Sequence, residues 1–551
     1  MRHLRSVLIP AVLFLLAGLG RTETFATFNP AGMFLDSSRN FYGFWRNDIL
    51  GTSSNGANVV GKVIRQYPTN SGILEVFTST DSGRTFMADS NLNPAPPLLR
   101  YPYCDFTGPD GQGFVGGTET GSGFWLGAWN LRNSGGYGSR GWDAPRNTFS
   151  GPSIRAWGTR LSNGNASLIC YLDSFPNSVA LVVDTLGNTI SPPVTMWDST
   201  KGTADYRNGK LVYYSSHRTD WFGFPQNFNA PRIRTSTDEG LTWDTTRLLN
   251  IPMPLDSVVD FDSWQNVIRQ DGTTGAIFVF KDTADWYNNI PGGAIQFGWD
   301  GGKTTIFSPG TNEQADFPVI GRKDDNTLVA VWMYAPRFNP ASWDSGRTFW
   351  DLMGAVSTNG GLTWGTPQNL TTTPNFSECM PQVARYIGPN NLVHVTWGES
   401  HSQSQPTDTA DIYWASFWTN LSIFKTYNYY ARWRIQGTQL VRDPPSDVEE
   451  ARNEGPKFAA YELSPMVPNP VSGQQAVISY QLPIGGRATL AIYNNLGQKV
   501  RILIDQVYPP GRFTTLWDGR NDSGRKVPAG VYFIRFEAGA FRATEKAVLL
   551  R

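Results

Sequence analysis

The chain has 551 residues, which is more than one ordinary domain holds and enough for two or three. Lys and Arg together number 46, as do Asp and Glu, so the net charge is zero. This balance argues against nucleic acid as the main partner, because phosphate binding needs a basic excess. Glycine (56 residues), Trp (20), Tyr (21) and Phe (32) are abundant, and glycine turns between aromatic strands are typical of an all-β chain.

The first residues have the form of a secretory signal. Arg2, His3 and Arg5 give a polar, basic start, and the apolar run Val7–Leu19 is shorter than the ~20 residues that a membrane-spanning helix needs. Small residues predict cleavage after Gly20, hence a signal peptide over 1–20 and a secreted or outer-surface protein. An uncleaved anchor is the alternative. After signal removal, no further membrane-spanning segment is expected.

The cysteines do not indicate a disulfide framework. Cys104, Cys170 and Cys379 are widely separated and odd in number, so at most one intramolecular disulfide can form. Buried structural cysteines are the favoured interpretation. Only four histidines are present, and neither a metal site nor a cofactor is expected.

Internal repeats are the strongest signal in the chain. The segment Ser79–Phe86 reads Ser-Thr-Asp-Ser-Gly-Arg-Thr-Phe, and the same pattern returns at Ser236–Trp243 and Ser357–Trp364, with a weaker copy at Asp300–Thr304. This pattern predicts a hairpin turn in which the Asp or Asn accepts backbone N–H groups and the Gly permits a positive φ. The final aromatic ring is expected to be buried between neighbouring sheets.

These copies resemble the Asp-box, or bacterial neuraminidase repeat, family. The resemblance implies a sialidase-like β-propeller in which each box joins the third and fourth strands of a blade. The residues that it assigns to the box structure are Asp81, Gly83, Asp238, Gly240, Trp243, Asp300, Gly302, Asn359, Gly361 and Trp364.

The boxes belong to a longer unit of two short strands, a loop and a third strand. Segments that follow this plan are Pro152–Tyr171, Asp262–Phe280, Asp316–Trp332 and Met380–Trp397. Seven such units lie between about residues 30 and 430, at the ~40–60-residue spacing of propeller blades. Seven blades are therefore favoured over the six of sialidases, within a propeller spanning 21–440. A further match at Ser342–Phe349 is too close to the next box and is interpreted as part of a loop.

A second domain follows a charged, proline-containing linker predicted at 441–463. Residues 464–551 alternate short strands with turns, which predicts an immunoglobulin-like β-sandwich. The acidic turn Asp518–Asp522 is interpreted as a polar hairpin turn rather than a calcium loop, because the full ligand spacing is missing.

This second domain resembles the C-terminal sorting domain of type IX secretion cargo and the related flagellar-hook-capping-like immunoglobulin domain. The matching segments are Asn469-Pro470, Ile492–Gly497, Trp517–Gly519, Pro528–Tyr532 and Lys546–Arg551. The resemblance implies export across an outer membrane, with the secretion machinery as a partner, followed by surface attachment or release.

The functional site is expected on the propeller face opposite the boxes. That face is built from the loops between second and third strands and from the connections between blades. Aromatic rings beside arginines and carboxylates in these segments suit a glycan or a surface protein as ligand. The predicted ligand-binding residues are Arg218, Trp221, Trp286, Tyr287, Tyr334, Arg337 and Trp343. The alternative is that the tryptophans only close these loops over the blades.

Three functions stay open at this point. A non-catalytic propeller that binds glycan or protein is favoured. A glycoside hydrolase of sialidase-like fold is the second, with Asp262, Asp285, Asp316, Glu378 and Glu399 as candidate catalytic carboxylates. A structural or adhesive scaffold is the third. The sialidase family's Arg-Ile-Pro signature is missing, and Arg269, Arg322 and Arg385 recur at one position of the repeat, which favours a structural role over a substrate-binding triad.

Overall fold

A computed structural model describes most of the strands and many of the turns of the chain. The described residues are 32–38, 50–53, 59–66, 72–79, 81–90, 100–106, 112–119, 123–130, 146–150, 153–162, 165–172, 178–184, 188–196, 201–216, 232–245, 247–252, 257–282, 292–311, 313–336, 350–373, 378–402, 424–443, 461–466, 469–472, 476–482, 486–508 and 511–550.

Within these residues the chain forms strands and turns but no helix, so the fold is all-β. The strands make nine small, mostly antiparallel sheets. In the described part of the chain, no helical segment is long and apolar enough to cross a bilayer.

The first seven sheets contain the strands of residues 33–442. Strand β1 (Met33–Ser38) precedes sheet 1, which consists of β2 (Leu50–Thr52), β3 (Val59–Gln66), β4 (Gly72–Ser79) and β5 (Met87–Ser90). Sheet 2 consists of β6 (Arg100–Phe106), β7 (Gln112–Glu119), β8 (Gly123–Asn130) and β9 (Arg146–Ser150). Sheet 3 consists of β10 (Ser153–Arg160), β11 (Ala166–Leu172), β12 (Ser178–Val183) and β13 (Val194–Thr195).

The next three sheets repeat this four-stranded plan. Sheet 4 consists of β14 (Lys201–Arg207), β15 (Lys210–Ser216), β16 (Arg232–Ser236) and β17 (Arg247–Leu248). Sheet 5 consists of β18 (Ser257–Ile268), β19 (Thr274–Asp282), β20 (Ala294–Trp299) and β21 (Gly302–Phe307). Sheet 6 consists of β22 (Gln314–Arg322), β23 (Leu328–Ala335), β24 (Asp351–Ser357) and β25 (Gln368–Asn369).

Sheet 7 joins the two ends of this region. It consists of β26 (Cys379–Val383), β27 (Leu392–Ser402), β28 (Phe424–Gln436) and β29 (Gln439–Arg442), and β1 pairs with β28 as a further antiparallel strand. The first strand of each sheet lies against the first strand of the next, from β2 through β26, and β2 also contacts β27. Sequential four-stranded meanders closed by the N-terminal strand are the topology of a β-propeller.

The core of the propeller lies between neighbouring sheets. In β23, Leu328, Ala330 and Trp332 pack with sheet 5, whereas Val329 and Val331 pack with sheet 7. Alternate residues of a strand point to opposite faces, so both faces of β23 are covered and the strand is apolar almost throughout. Burying each such side chain fully contributes roughly 1.5–3 kcal/mol.

Two further sheets follow residue 461 and share one hydrophobic core. The three-stranded sheet contains β30 (Glu462–Leu463), β32 (Ala476–Leu482) and β35 (Gly511–Trp517). The five-stranded sheet contains β31 (Val471–Ser472), β33 (Gly486–Asn494), β34 (Lys499–Tyr508), β36 (Gly530–Ala538) and β37 (Phe541–Leu550). Tyr480, Trp517 and Phe536 are buried in the core between them.

Asn469 fixes the last strand of this two-sheet module. Its side-chain amide donates to the carbonyl of Lys546 (2.7 Å) and accepts the N–H of Val548 (2.8 Å). The Asn469 amide thus bonds to the edge of β37 next to the point where β31 begins to pair with it. There Val471 and Ser472 run parallel to Leu549 and Leu550.

Candidate functional site

The three full repeats form turns with the same internal hydrogen bonds, here called box turns (residues 79–86, 236–243 and 357–364). In the first, the Ser79 hydroxyl donates to Asp81 (2.7 Å) and accepts the N–H of Gly83 (2.8 Å). Thr85 donates its N–H (2.9 Å) and its hydroxyl (2.6 Å) to the Asp81 carboxylate. Burial opposes ionisation of Asp81, but these bonds outweigh it and lower its pKa. The second turn repeats these bonds at Ser236, Asp238, Gly240 and Thr242. The third turn repeats the serine and backbone bonds at Ser357, Asn359, Gly361 and Thr363, but there the Asn359 amide donates to the Thr363 hydroxyl (2.8 Å).

Each box turn connects the third and fourth strands of its sheet, namely β4–β5, β16–β17 and β24–β25. The glycine in each has a φ of 77° to 89°, and the residue before it (Ser82, Glu239 or Gly360) is also in the left-handed region. The sequence pattern accounts for the glycine but gives no sign of the second left-handed residue, which is a different amino acid in each copy.

The box turns also pack against the preceding sheet. Phe86 packs edge-on against Tyr430 of sheet 7, with 4.6 Å between ring centroids, and Trp364 packs against Phe297 of sheet 5 at 5.9 Å. In the second box turn, Trp243 packs against a cluster formed by sheets 3 and 4. Each turn is therefore a contact between blades as well as a connection within one.

The fourth, weaker repeat has a different structure from the box turn predicted there. Asp300 and Gly301 form a two-residue hairpin between β20 and β21, in which Trp299 pairs directly with Gly302. The Asp300 carboxylate pairs with Arg247 of β17 (2.7 Å) and accepts the N–H of Asn250 (3.0 Å), in the connection that follows this strand. The two strands meet too closely here to leave room for the longer turn.

Arginines end the first strands of five consecutive sheets. Arg160, Arg207 and Arg322 are the last residues of β10, β14 and β22, and Arg269 and Arg385 closely follow β18 and β26. First and third strands run in the same direction, so these arginines lie at the end of the propeller that carries the box turns. Arg269 bonds to Thr273 of its own hairpin, whereas the other four bond to residues of other sheets.

A buried polar cluster, the central cluster, forms where these strands meet. It consists of Arg160, Asp205, Arg322, Arg385 and Tyr386. Arg322 donates to Asp205 (3.0 Å), and the guanidinium groups of Arg160 and Arg322 lie 3.4 Å and 4.6 Å from the centre of the Tyr386 ring. Burial and the charge of Asp205 raise the pKa of Tyr386, which keeps the phenol neutral.

The central cluster joins sheets across the ring. Asp205 of sheet 4 also accepts the N–H of Ile268 in sheet 5 (2.7 Å), and Arg385 of sheet 7 donates to Asn266 in sheet 5 (2.9 Å) and to Thr203 in sheet 4 (3.1 Å). Arg160 of sheet 3 donates to the carbonyl of Thr52 in sheet 1 (3.0 Å). Contacts among so many sheets can meet only near the propeller axis, so the cluster fills the centre of the ring at the box-turn end.

Most of the residues predicted to bind or cleave a ligand are not among those that the structure describes. Arg218, Trp221, Asp285, Trp286, Tyr287, Arg337 and Trp343 lie outside the described residues, and so does the extra box-like match at 342–349. Asp262 belongs to β18, but its side chain is also outside the described part.

Tyr334 is half-buried at the end of the propeller opposite the box turns, close to the end of β23. Its hydroxyl donates to the carboxylate of Glu313 (2.8 Å), and its ring packs edge-on against Phe307 with 5.5 Å between centroids. Burial, the bond to Glu313 and the nearby Asp351 raise the pKa of Tyr334 to about 12. The phenol is therefore a neutral hydrogen-bonding group near neutral pH.

The three candidate catalytic carboxylates whose side chains are described are buried. Asp316 accepts the N–H of Phe317 (2.8 Å) at an irregularity of β22, where Phe317 has a φ of 50°. Glu399 is fully buried in β27. Glu378 is fully buried and accepts hydroxyl bonds from Thr371 (3.1 Å) and Thr373.

Glu378 and Asp351, at the start of β24, share Thr373 as a partner, because its hydroxyl donates to Glu378 and its N–H donates to Asp351. Asp351 in turn accepts bonds from the Asn369 amide (2.6 Å) and the Thr373 N–H (3.2 Å), and burial raises its pKa. Both carboxyl groups are therefore bonded to the connection between sheets 6 and 7 and have a structural role there.

Cys104 and Cys379 are buried, each in the first strand of its sheet. The described residues contain no group of three or more His, Cys, Asp or Glu side chains arranged to hold a metal ion.

Comparison with known proteins gives distant structural similarity only. No family model and no curated protein matches the chain. One similar structure is PorZ, an essential bacterial surface component of the type-IX secretion system of Porphyromonas gingivalis, with 10% identity, 93% of this chain covered and a TM-score of 0.34. The chain spans only 60% of that PorZ chain.

Two further similar structures come from proteins with other roles. The β-propeller domain of the Trilobed protease from Pyrococcus furiosus shows 10% identity over 72% of this chain and 96% of that one, with a TM-score of 0.38. A glycoside hydrolase family 43 arabinoxylan arabinofuranohydrolase from Bacillus subtilis shows 10% identity over 93% and 96%, with a TM-score of 0.32. The assignment of the propeller therefore rests on the strand topology of the chain itself.

Proposed function

We propose that this is a secreted or outer-surface binding protein with a seven-bladed propeller of the Asp-box type. In this proposal the propeller binds a glycan on the end opposite its box turns. The immunoglobulin-like C-terminal module serves export through an outer-membrane secretion machinery. The N-terminal signal-like segment and the C-terminal motifs support the location, and the seven sheets closed by β1 support the blade number.

The central cluster is the observation that supports placing the ligand at the opposite end of the propeller. Buried and mutually bonded Asp205, Arg322 and Tyr386 fill the middle of the ring at the box-turn end, and the partly buried Arg160 packs on the Tyr386 ring. A ligand that enters this end would have to displace a buried ion pair, which costs several kcal/mol. The opposite end, where Tyr334 lies, is therefore the proposed ligand side.

Binding without cleavage fits the described side chains better than hydrolysis. Asp316, Glu378 and Glu399 are buried, and both Glu378 and the neighbouring Asp351 are already bonded to residues 369–373. A half-buried ring such as Tyr334, held by Glu313 and Phe307, supplies a rigid surface for a sugar ring and a polar edge for its hydroxyl groups.

A glycan array probed with the full chain tests this proposal, with mass spectrometry of every bound glycan. We expect binding without cleavage, weakened about tenfold or more by Tyr334→Ala, since stacked aromatic groups contribute a few kcal/mol at binding sites. The matched control is Leu362→Ala, which truncates a half-exposed side chain of the third box turn at the other end.

The other outcomes are equally informative. Product formation would establish a glycoside hydrolase instead, with Asp262 and Asp285 as the first residues to substitute. Absence of binding to any glycan would overturn the glycan proposal and leave a surface protein as the ligand. An equal loss with Leu362→Ala would place the site at the wrong end of the propeller.

A further inference from the structure

The C-terminal module concentrates positive charge. Residues 461–551 contain eleven Lys and Arg against six Asp and Glu, a net charge of +5, although the whole chain is neutral. The rest of the chain therefore carries the compensating negative charge. Such an asymmetry between domains indicates that the module meets an anionic partner.

One side of the five-stranded sheet exposes apolar side chains to solvent. Along β36, Tyr532, Ile534 and Phe536 face the core, and Val531 and Phe533, each 38% exposed, alternate with them on the other side. The strand register brings further apolar residues beside these two. The outer face is defined here by Tyr493, Ile502, Val531, Phe533, Val548 and Leu550.

Basic side chains flank these apolar groups. Phe533 pairs across the strands with Tyr493 on one side and Lys546 on the other, and Tyr493 pairs with Lys499. One row further along, Arg535 lies opposite Ala491, which Ile502 also pairs with. The result is a row of two aromatic rings with a lysine at each end.

The edges of this sheet are not suited to adding a peptide strand. At one edge, β31 and the side chain of Asn469 already pair with β37. At the other edge, β34 pairs with β33 through two register shifts, and such bulges bend an edge strand away from regular pairing. A partner must therefore bind the face rather than extend the sheet.

We propose that the outer face binds an anionic membrane surface. The exposed aromatic and aliphatic side chains of this face enter the headgroup region, and Lys499 and Lys546 contact the anionic headgroups, whereas Arg535 is paired with Glu537 (2.7 Å). This role depends on the C-terminal module alone, so it holds or fails independently of what the propeller binds.

Co-sedimentation of the full chain with vesicles tests the proposal. We expect binding to vesicles of phosphatidylglycerol mixed with phosphatidylcholine, little binding to phosphatidylcholine alone, and weaker binding as salt is raised. The double variant Lys499→Glu, Lys546→Glu should lose at least about 25-fold in affinity, since each basic residue near the surface contributes about fivefold. Phe533→Ser tests the apolar contribution and should weaken binding at every salt concentration.

The matched control is Arg525→Glu with Lys526→Glu, which changes the net charge equally on the exposed turn between β35 and β36. An equal loss in both double variants would mean that net charge alone attracts the protein, and the proposal would be wrong. Failure of the unaltered chain to bind anionic vesicles would also overturn it, and would leave the outer face to a protein partner. Thermal unfolding of each variant distinguishes lost binding from lost structure.

Discussion

A Cβ atom on Gly361 would lie 2.3 Å from the ring of Phe297, a residue of the preceding sheet. The same glycine has a φ of 89° and donates its N–H to Ser357 in the third box turn. Gly361 thus meets two separate requirements: a left-handed backbone inside the turn, and the close approach of two blades.

The two requirements of Gly361 can be separated by substitution. Gly361→Ala should destabilise the propeller for two reasons. An alanine at this positive φ costs roughly 1–2 kcal/mol, and the clash of its Cβ with Phe297 adds roughly 1–3 kcal/mol. Gly209→Ala is the control, since Gly209 has a φ of 82° with nothing within 4 Å of its Cβ position. Urea unfolding of both variants measures the difference, and equal losses would show that the contact with Phe297 contributes nothing.

The central cluster should be the most sensitive polar site in the propeller. Asp205→Ala leaves Arg322 and the N–H of Ile268 buried without their acceptor, which costs about 3–5 kcal/mol. Asp300→Ala removes a half-exposed ion pair with Arg247 and should cost about 1 kcal/mol or less. A loss for Asp205→Ala as small as that for Asp300→Ala, measured by urea unfolding, would argue against a central, buried position for the cluster.

Local sequence signals predicted the strands and turns better than the polar interior. The box pattern predicted hairpins at 79–86, 236–243 and 357–364 because each turn is held by its own side chains. The fourth copy shares only part of the pattern, and its Asp300 bonds to the neighbouring connection instead. A sequence pattern therefore predicts a turn reliably when most of the hydrogen bonds that hold the turn lie within the pattern itself.

A buried histidine makes the junction between sheets 7 and 1 sensitive to acid. The Nδ1 atom of His394 hydrogen-bonds to Tyr430 (2.5 Å), and the positive charge of Arg432 and the negative charge of Asp443 lie nearby. Burial, reinforced by Arg432, lowers the pKa of His394 to about 3. The unfolded chain, with a pKa of about 6.5, therefore takes up the proton first.

The stability contributed by neutral His394 is complete above pH 6.5 and is lost as the pH falls from 6.5 toward 3. At pH 5 the loss is about 2 kcal/mol. Urea unfolding at pH 7 and pH 5 should show that His394→Gln reduces the pH dependence by this amount. If the variant and the unaltered chain lose stability equally over this range, another group is responsible.

Asn469 should hold the last strand of the C-terminal module in place. Asn469→Ala removes both bonds to β37, so the Val548 amide should exchange with solvent roughly tenfold faster and stability should fall by about 1–2 kcal/mol. Asn469→Asp keeps an acceptor for the Val548 N–H and loses the donor to Lys546, so its effect should be smaller. Hydrogen exchange that is identical in all three proteins would contradict this role.

The candidate site was harder to predict than the fold, for a physical reason. Glu378 and Asp316 stood out as carboxylates in connections or at strand starts, but the sequence does not reveal that both are buried and hydrogen-bonded. The central cluster had one visible sign, the recurrence of Arg269, Arg322 and Arg385. Arg160 and Arg207 share that position, yet Asp205 and Tyr386 carry no local signature, since their partners lie in other sheets.

Because β1 pairs with β28, the ring of sheets can close only after the last sheet of the propeller has been synthesised. Asp36 pairs with Asn428, so the outer edge of the last sheet is completed by a strand that is synthesised long before its partner. Until the late strand exists, the early one is an unpaired edge with a tendency to aggregate. Deleting β1 or β28 would therefore not remove one whole blade but would leave the ring open. Contacts between strands so far apart in sequence are also slow to form.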